Sequence, residues 1–171
     1  SALSLSYSRG GDQVTVKSSD EPIRYFGGNS ESYEKSNKIR ARVIAQTLAG
    51  LIKQADNVFI MGHKQSDFDS FGASIGMYAL AKAYDKETRI IIDYDSLEEK
   101  TGAVAKSLQN VEKYRGVFIL PQRVHDFIHD KSLLICVDNH KPSLAIDSDV
   151  LDLIQNKVVI DHHRRGEEFI D

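Results

Sequence analysis

Residues 58–70 read Val58-Phe59-Ile60-Met61-Gly62-His63-Lys64-Gln65-Ser66-Asp67-Phe68-Asp69-Ser70, an apolar run that breaks at a glycine into a polar, acid-bearing loop. Beyond the loop, Phe71, Ile75 and Tyr78 share one helical face of 71–84. A continuous apolar run is what a strand looks like when both its faces are covered. The stretch therefore reads as strand, loop, helix. The same alternation continues, with strands expected at 58–61, 89–94, 117–120, 133–137 and 157–160. Helical patterns lie between them at 71–84, 101–114, 121–129 and 148–155, and in 101–114 the shared face reads as Val104, Leu108 and Val111. This predicts an α/β fold: a mostly parallel, Rossmann-like sheet with helices on both faces. Ligands of such sheets bind beyond the carboxyl ends of the strands.

Upstream, Gln13-Val14-Thr15-Val16-Lys17 alternates like a half-buried strand between turn signals at 8–12 and 18–22, and Ile23-Arg24-Tyr25-Phe26 reads as its hairpin partner. A lone hairpin is marginal in water, so this one is expected to belong to the sheet of a preceding domain. From Ser30, which can cap it, to about Gln54 the pattern is helical, with Ile39, Val43, Ile44, Leu48, Leu51 and Ile52 at helical spacing. The expected organisation is an N-terminal segment over 1–29, a linker helix over 30–55 and a domain over 56–171. The stripe Ile39, Val43, Leu51 is a candidate homodimer seam, and packing on its own domain is the plainer reading.

The bulk numbers exclude little. The 171 residues suffice for one full domain and a fragment of another. With 22 basic and 25 acidic residues the formal net charge is −3, which gives no bulk electrostatic case for binding duplex nucleic acid. The lone cysteine, Cys136, sits in an apolar run and reads as a small buried hydrophobe. No apolar stretch approaches the ~20 residues that span a bilayer. A start at Ser1-Ala2-Leu3 without Met reads as a soluble segment of a longer chain, so an anchor would lie outside it.

Chemistry gathers after three of the expected strands. The first cluster is 62–70, with His63, Asp67 and Asp69; the second is Asp138-Asn139-His140-Lys141-Pro142; the third is Asp161-His162-His163-Arg164-Arg165. In a parallel sheet all three meet along one edge. Carboxylate oxygens suit hard divalent cations and imidazole suits borderline first-row ions. Two cations within ~4 Å of each other need a shared carboxylate, and together they clamp the attacking and leaving oxygens of a displacement. Asp138 is a natural bridge. Each residue alone has a duller reading: an aspartate at a strand end is commonly a helix cap, and a histidine a surface or satisfied core group. Three such clusters at three strand ends outweigh those readings.

The strings Gly62-His63-x-x-x-Asp67-x-Asp69-Ser70, Val137-Asp138-x-His140 and Asp161-His162-His163 resemble the DHH phosphoesterase superfamily. Asp138 to Ser143 and Asp161 to Ile170 narrow the resemblance to the GdpP-type cyclic-di-AMP phosphodiesterases, and Arg9-Gly10-Gly11-Asp12 with Tyr25-Phe26-Gly27-Gly28 resembles the end of the degenerate GGDEF domain that precedes the DHH domain in that type. The resemblance implies two divalent metals, usually manganese. It places His63, Asp67 and Asp138 on one and Asp69, Asp138 and His162 on the other. It makes Asp161 an acceptor that orients a histidine, and turns His163 and His140 toward the substrate phosphate or leaving oxygen. Arg164 and Arg165 would meet phosphate charge, with a solvated basic turn as the alternative.

The implied reaction is hydrolysis of cyclic-di-AMP to 5′-pApA, in a Gram-positive parent protein held at the cytoplasmic side of the membrane by N-terminal segments. Family members add a later metal-ligating Asp and a C-terminal nucleotide-binding domain, so these 171 residues are expected to bind manganese weakly and turn over poorly. The alternatives are another DHH enzyme (an oligoribonuclease-like phosphatase, a RecJ-type exonuclease, a family II pyrophosphatase) or a regulatory fragment without turnover.

Overall fold

The computed structural model describes residues 13–18, 21–27, 34–164 and 167–171, with side chains from residue 40 onward. Strand β3 (Asn57–Met61) is buried along its whole length. Side chains alternate across a strand. Val58 and Ile60 therefore enter one core, with Ile52, Tyr78, Ala81 and Ile135, while Phe59 and Met61 enter another, with Leu134, Cys136, Leu151 and Ile170. Two cores on two faces require a central strand.

The sheet orders its strands β2-β1-β7-β6-β3-β4-β5, where β1 is Gln13–Ser18, β2 Glu21–Gly27, β4 Glu87–Ile91, β5 Phe118–Ile119, β6 Leu133–Val137 and β7 Asn156–Asp161. From β7 to β5 all neighbours are parallel, as the apolar runs predict. Helices α1 (Glu34–Gln54) and α2 (Phe68–Ala83) supply one layer, and α4 (Ser148–Leu153) lies in the other. The chain leaves β3 for β4 and β5, then returns to the opposite side of β3 as β6 and β7. In sheets of this kind ligands bind at such a reversal, here beyond the carboxyl ends of β3 and β6.

Three local expectations are corrected. The region 101–114 divides into α3 (Glu99–Gln109) and a 3-10 turn, Glu112–Tyr114. It buries Thr101, Gly102 and Ala105 and leaves Val104 and Val111 exposed, because small residues let α3 sit close on Ile92 and Phe71. The region 121–129 holds a 3-10 segment, Pro121–Asp126, in place of an α-helix. α1 is described from Glu34, and the expected cap Ser30, like the turn at 8–12, lies outside the described residues.

The third concerns the hairpin, expected in the sheet of a preceding domain. Here β1 runs antiparallel to β7, pairing Gln13 with Asp161 and Lys17 with Lys157. Each gains what it lacks, since an isolated hairpin is marginal and an open strand edge leaves its N–H and C=O groups unpaired. In α1, Ile52 is fully buried and Leu48 and Leu51 pack on the domain core, while Val43 is 44% exposed. The candidate seam is thus consumed at its C-terminal end. No described helix is long and apolar enough to cross a membrane.

Candidate metal centre

The loop after β3 is shaped by a tight approach to α2. A Cβ on Gly62 would stand 2.3 Å from Ser70 Oγ and 3.1 Å from Ser66 Oγ, so only glycine fits without displacement. Ser66 Oγ donates to the His63 carbonyl at 2.6 Å, and Gln65 takes a left-handed φ of 56°. Asp67 caps α2: its Oδ1 accepts the N–H groups of Asp69 and Ser70, both at 3.0 Å. Capping does not exclude the site, because that same oxygen lies 4.0 Å from His63 Nε2. The Lys64 N–H donates to the Leu144 carbonyl at 2.8 Å, tying this loop to the segment after β6.

Asp138 is the first residue past β6. Its φ is 56°, in the left-handed region that aspartate enters more readily than most residues, at a cost of about 1–3 kcal/mol. Its N–H donates to the Ile160 carbonyl of β7 at 2.8 Å. The carboxylate is nearly enclosed and divides its oxygens: Oδ2 lies 3.6 Å from His63 Nε2, and Oδ1 lies 3.2 Å from His162 Nε2 and 3.7 Å from His163 Nδ1. Two donor groups result, His63 with Asp67 and Asp138, and Asp138 with His162 and His163. Asp138 stands in both.

These donors fit a cation. His63 Nδ1 lies 2.6 Å from the Lys64 carbonyl, which can only accept, so Nδ1 carries the proton and Nε2 a lone pair. That lone pair converges with the oxygens of Asp67 and Asp138, an arrangement a positive ion between them would stabilise. Burial pushes the Asp138 carboxyl above its ordinary value, and the Asp67 charge adds to this, against the pull of His163, His63 and His162. A divalent ion between the donors would stabilise that charge.

Behind Asp138, the buried Asp161 accepts from His163 Nδ1 at 2.7 Å through Oδ1 and from His140 Nδ1 through Oδ2. Burial alone would raise the Asp161 carboxyl, but these hydrogen bonds outweigh it and hold it below the usual range. The Asp161 bond likewise raises His163. His163 Nδ1 cannot both donate to Asp161 and offer a metal a lone pair. The 2.7 Å bond favours donation, which leaves His162 as the imidazole of the second group.

His140, expected to face substrate, does not. Its side chain is buried, bonded to Asp161 and stacked on Phe169, because the chain after residue 167 folds back over it. Asp69 is exposed in the first turn of α2 and enters neither donor group. Arg164 is exposed, and Arg165 lies outside the described residues. Phe169 and Ile170, which close over His140, carry no sequence signal beyond two apolar residues after a charged run, and the part played by Gly62 shows only in the close approach of Ser70.

Residues 57–171 match the DHH family, N-terminal domain. The chain belongs to the DHH family. Among DHH relatives, it is 40% identical over 173 residues to the cyclic-di-AMP phosphodiesterase PdeA of Listeria monocytogenes, covering 99% of this chain and 26% of that protein. It is also 40% identical over 170 residues to the cyclic-di-AMP phosphodiesterase GdpP of Bacillus subtilis, again covering 99% and 26%. The chain thus spans about a quarter of the length of these curated relatives. A solved structure of an exopolyphosphatase-related protein from Bacteroides fragilis shares the fold, with a TM-score of 0.54 and 22% identity over 74% of this chain and 36% of that one.

Proposed function

We propose that this chain is the DHH domain of a metal-dependent phosphodiesterase that hydrolyses cyclic-di-AMP to 5′-pApA in second-messenger turnover. The observation that carries the chemistry is the sharing of Asp138 between two donor groups. The substrate is supported by the 40% identity to PdeA and GdpP. In this reading His63, Asp67 and Asp138 would hold one ion, and Asp138 and His162 the other, toward which Asp69 would have to turn from the first turn of α2. Mixed carboxylate and imidazole donors suit a borderline divalent ion, and we assign manganese. Bound there, the ions would supply charge to the phosphoryl oxygens and a water of lowered pKa.

The chain's own groups do the rest. Asp138 balances positive charge at the centre. Asp161 holds His163 by Nδ1, and the bond keeps a proton on that imidazole to higher pH than a free one would. His163 is then the group to pass a proton to the leaving 3′ oxygen. Arg164 and Arg165 meet phosphate charge. The segment 1–29 resembles the tail of a degenerate GGDEF domain, although its hairpin completes this sheet through β7, and the longer protein would reach the membrane through segments upstream of it.

The test offers cyclic-di-AMP, short RNA and pyrophosphate with manganese, with and without chelator, to this chain and to a longer form that continues past residue 171. Chelator-sensitive turnover of cyclic-di-AMP, slow in this chain and fast in the longer form, is expected. Preference for RNA or pyrophosphate would assign another DHH activity, and no turnover in either form would make this a regulatory fragment. Light scattering tests a homodimer through α1, which a concentration-independent monomer would sink.

A further inference from the structure

Asp161 closes β7, and its side chain is 4% exposed. The two carboxylate oxygens are engaged on different sides. Oδ1 takes His163, by Nδ1 at 2.7 Å and by the backbone N–H at 3.3 Å. That histidine is half exposed, with Nδ1 3.7 Å from Asp138. Oδ2 takes His140 Nδ1, which is buried. The His140 ring stacks on Phe169, with centroids 5.7 Å apart and planes at 23°. The His140 carbonyl accepts the Ile170 N–H at 2.8 Å, and Ile170 is buried in the core with Phe59, Leu134 and Cys136. Ser143 Oγ donates to Glu168 Oε2 at 2.8 Å.

The segment 168–170 is therefore strapped across the chain that follows β6. The loop carrying His162 and His163 is gripped at both ends by one short stretch, with Asp138 N–H on the Ile160 carbonyl at entry and the His140 carbonyl on Ile170 N–H at exit. A carboxylate free to rotate cannot orient the imidazole it bonds. One whose rear oxygen is bonded by a buried, stacked ring can. The hydrogen bond made at one imidazole nitrogen sets which nitrogen carries the proton and how the ring is held.

We propose that His140 and Phe169 are positioning residues: they fix the plane of the Asp161 carboxylate from its buried side and through it aim His163 at Asp138. The purpose of the aim rests on the phosphodiesterase reading, but the aim itself belongs to the metal-free chain and is read there. The experiment compares imidazole ¹⁵N–¹H NMR of His163 under chelator, and calorimetric manganese affinity, in this chain and four variants. His140→Phe keeps the stack and removes the donor. Phe169→Leu keeps apolar cover and removes the stack, and Phe169→Tyr restores an aromatic ring. Leu151→Ala, in the same core, controls for simple loss of packing.

In the wild type His163 should be a single Nδ1–H tautomer. His140→Phe and Phe169→Leu should each give a tautomer mixture, with manganese affinity close to the wild type, because His163 is not one of the ligands. Phe169→Tyr and Leu151→Ala should match the wild type in both readouts. A wild-type tautomer in folded His140→Phe and Phe169→Leu would overturn the proposal, as would Leu151→Ala behaving like Phe169→Leu. Should His140→Phe fail to fold, Phe169→Leu against Phe169→Tyr decides. Absence of manganese binding in the wild type would refute the metal reading, and the tautomer comparison would still decide this one.

Discussion

Replacing Gly62 by alanine tests whether the site is built on the close approach of β3's end to α2. The added Cβ would meet Ser70 Oγ at 2.3 Å, Ser66 Oγ at 3.1 Å and Ser70 Cβ at 3.6 Å. Only the last is an ordinary contact. Overpacking of this kind costs about 1–3 kcal/mol. Ser70 Oγ is itself buried with no hydrogen-bond partner, a state costing roughly 1–3 kcal/mol, so Ser70→Ala alone should be neutral or stabilising. Combining the two removes the 2.3 Å clash and should restore most of the loss. Urea unfolding of the wild type, both single variants and the double variant should give a coupling energy of about 1 kcal/mol or more, as expected for residues in contact. Manganese affinity should follow the same pattern, weakened in Gly62→Ala and recovered in the double variant. Additive effects, or a Gly62→Ala midpoint equal to the wild type, would refute the reasoning.

Asp138→Asn keeps the shape and removes the shared charge, so calorimetry should show manganese binding lost at both donor groups together; retention of one wild-type site would show that Asp138 is not the bridge. The Asp161–His163 pair should contribute to stability only within a pH window. The depressed Asp161 carboxyl contributes above its unfolded value and loses this as pH falls through its folded one, whereas the raised His163 contributes below its unfolded value and loses it as pH rises through its folded one. Urea midpoints of Asp161→Asn and wild type, followed against pH without metal, should therefore differ most between those limits and converge in acid; a constant difference would contradict the pairing. Burial pushes the Cys136 thiol up to about 12, so a thiol reagent at pH 8 should leave the native protein unlabelled and react in urea. Prompt labelling of the native chain would show that the β6 core opens.

The parallel sheet was legible because β3 and β6 are fully buried strands, and burial on both faces leaves an unbroken apolar string in the sequence. Strand ends were legible for the same reason, and with them the edge where His63, Asp138 and Asp161 meet. Helix faces were harder to read. α3 turns small residues inward, a choice set by the surface it meets and invisible in a count of apolar positions. The hairpin was misplaced because strand alternation says that one face is covered and not by what. Within the site, residue types pointed to metal, but the burial of His140 depended on a chain that folds back from 30 residues later, through Ile170 N–H. No local pattern encodes such a contact.

One carboxylate shared by two donor groups would make two ions bound there thermodynamically dependent. Whatever the first does to Asp138, by drawing its charge or by fixing its rotamer, changes the affinity of the second, and linkage requires the reverse effect to be equal. The first effect opposes a second ion and the other favours it. A titration of this centre should therefore not follow two independent sites, and its shape measures which effect wins. A cell could then set occupancy of the complete pair steeply or gradually against free metal, through the conformation of a single side chain.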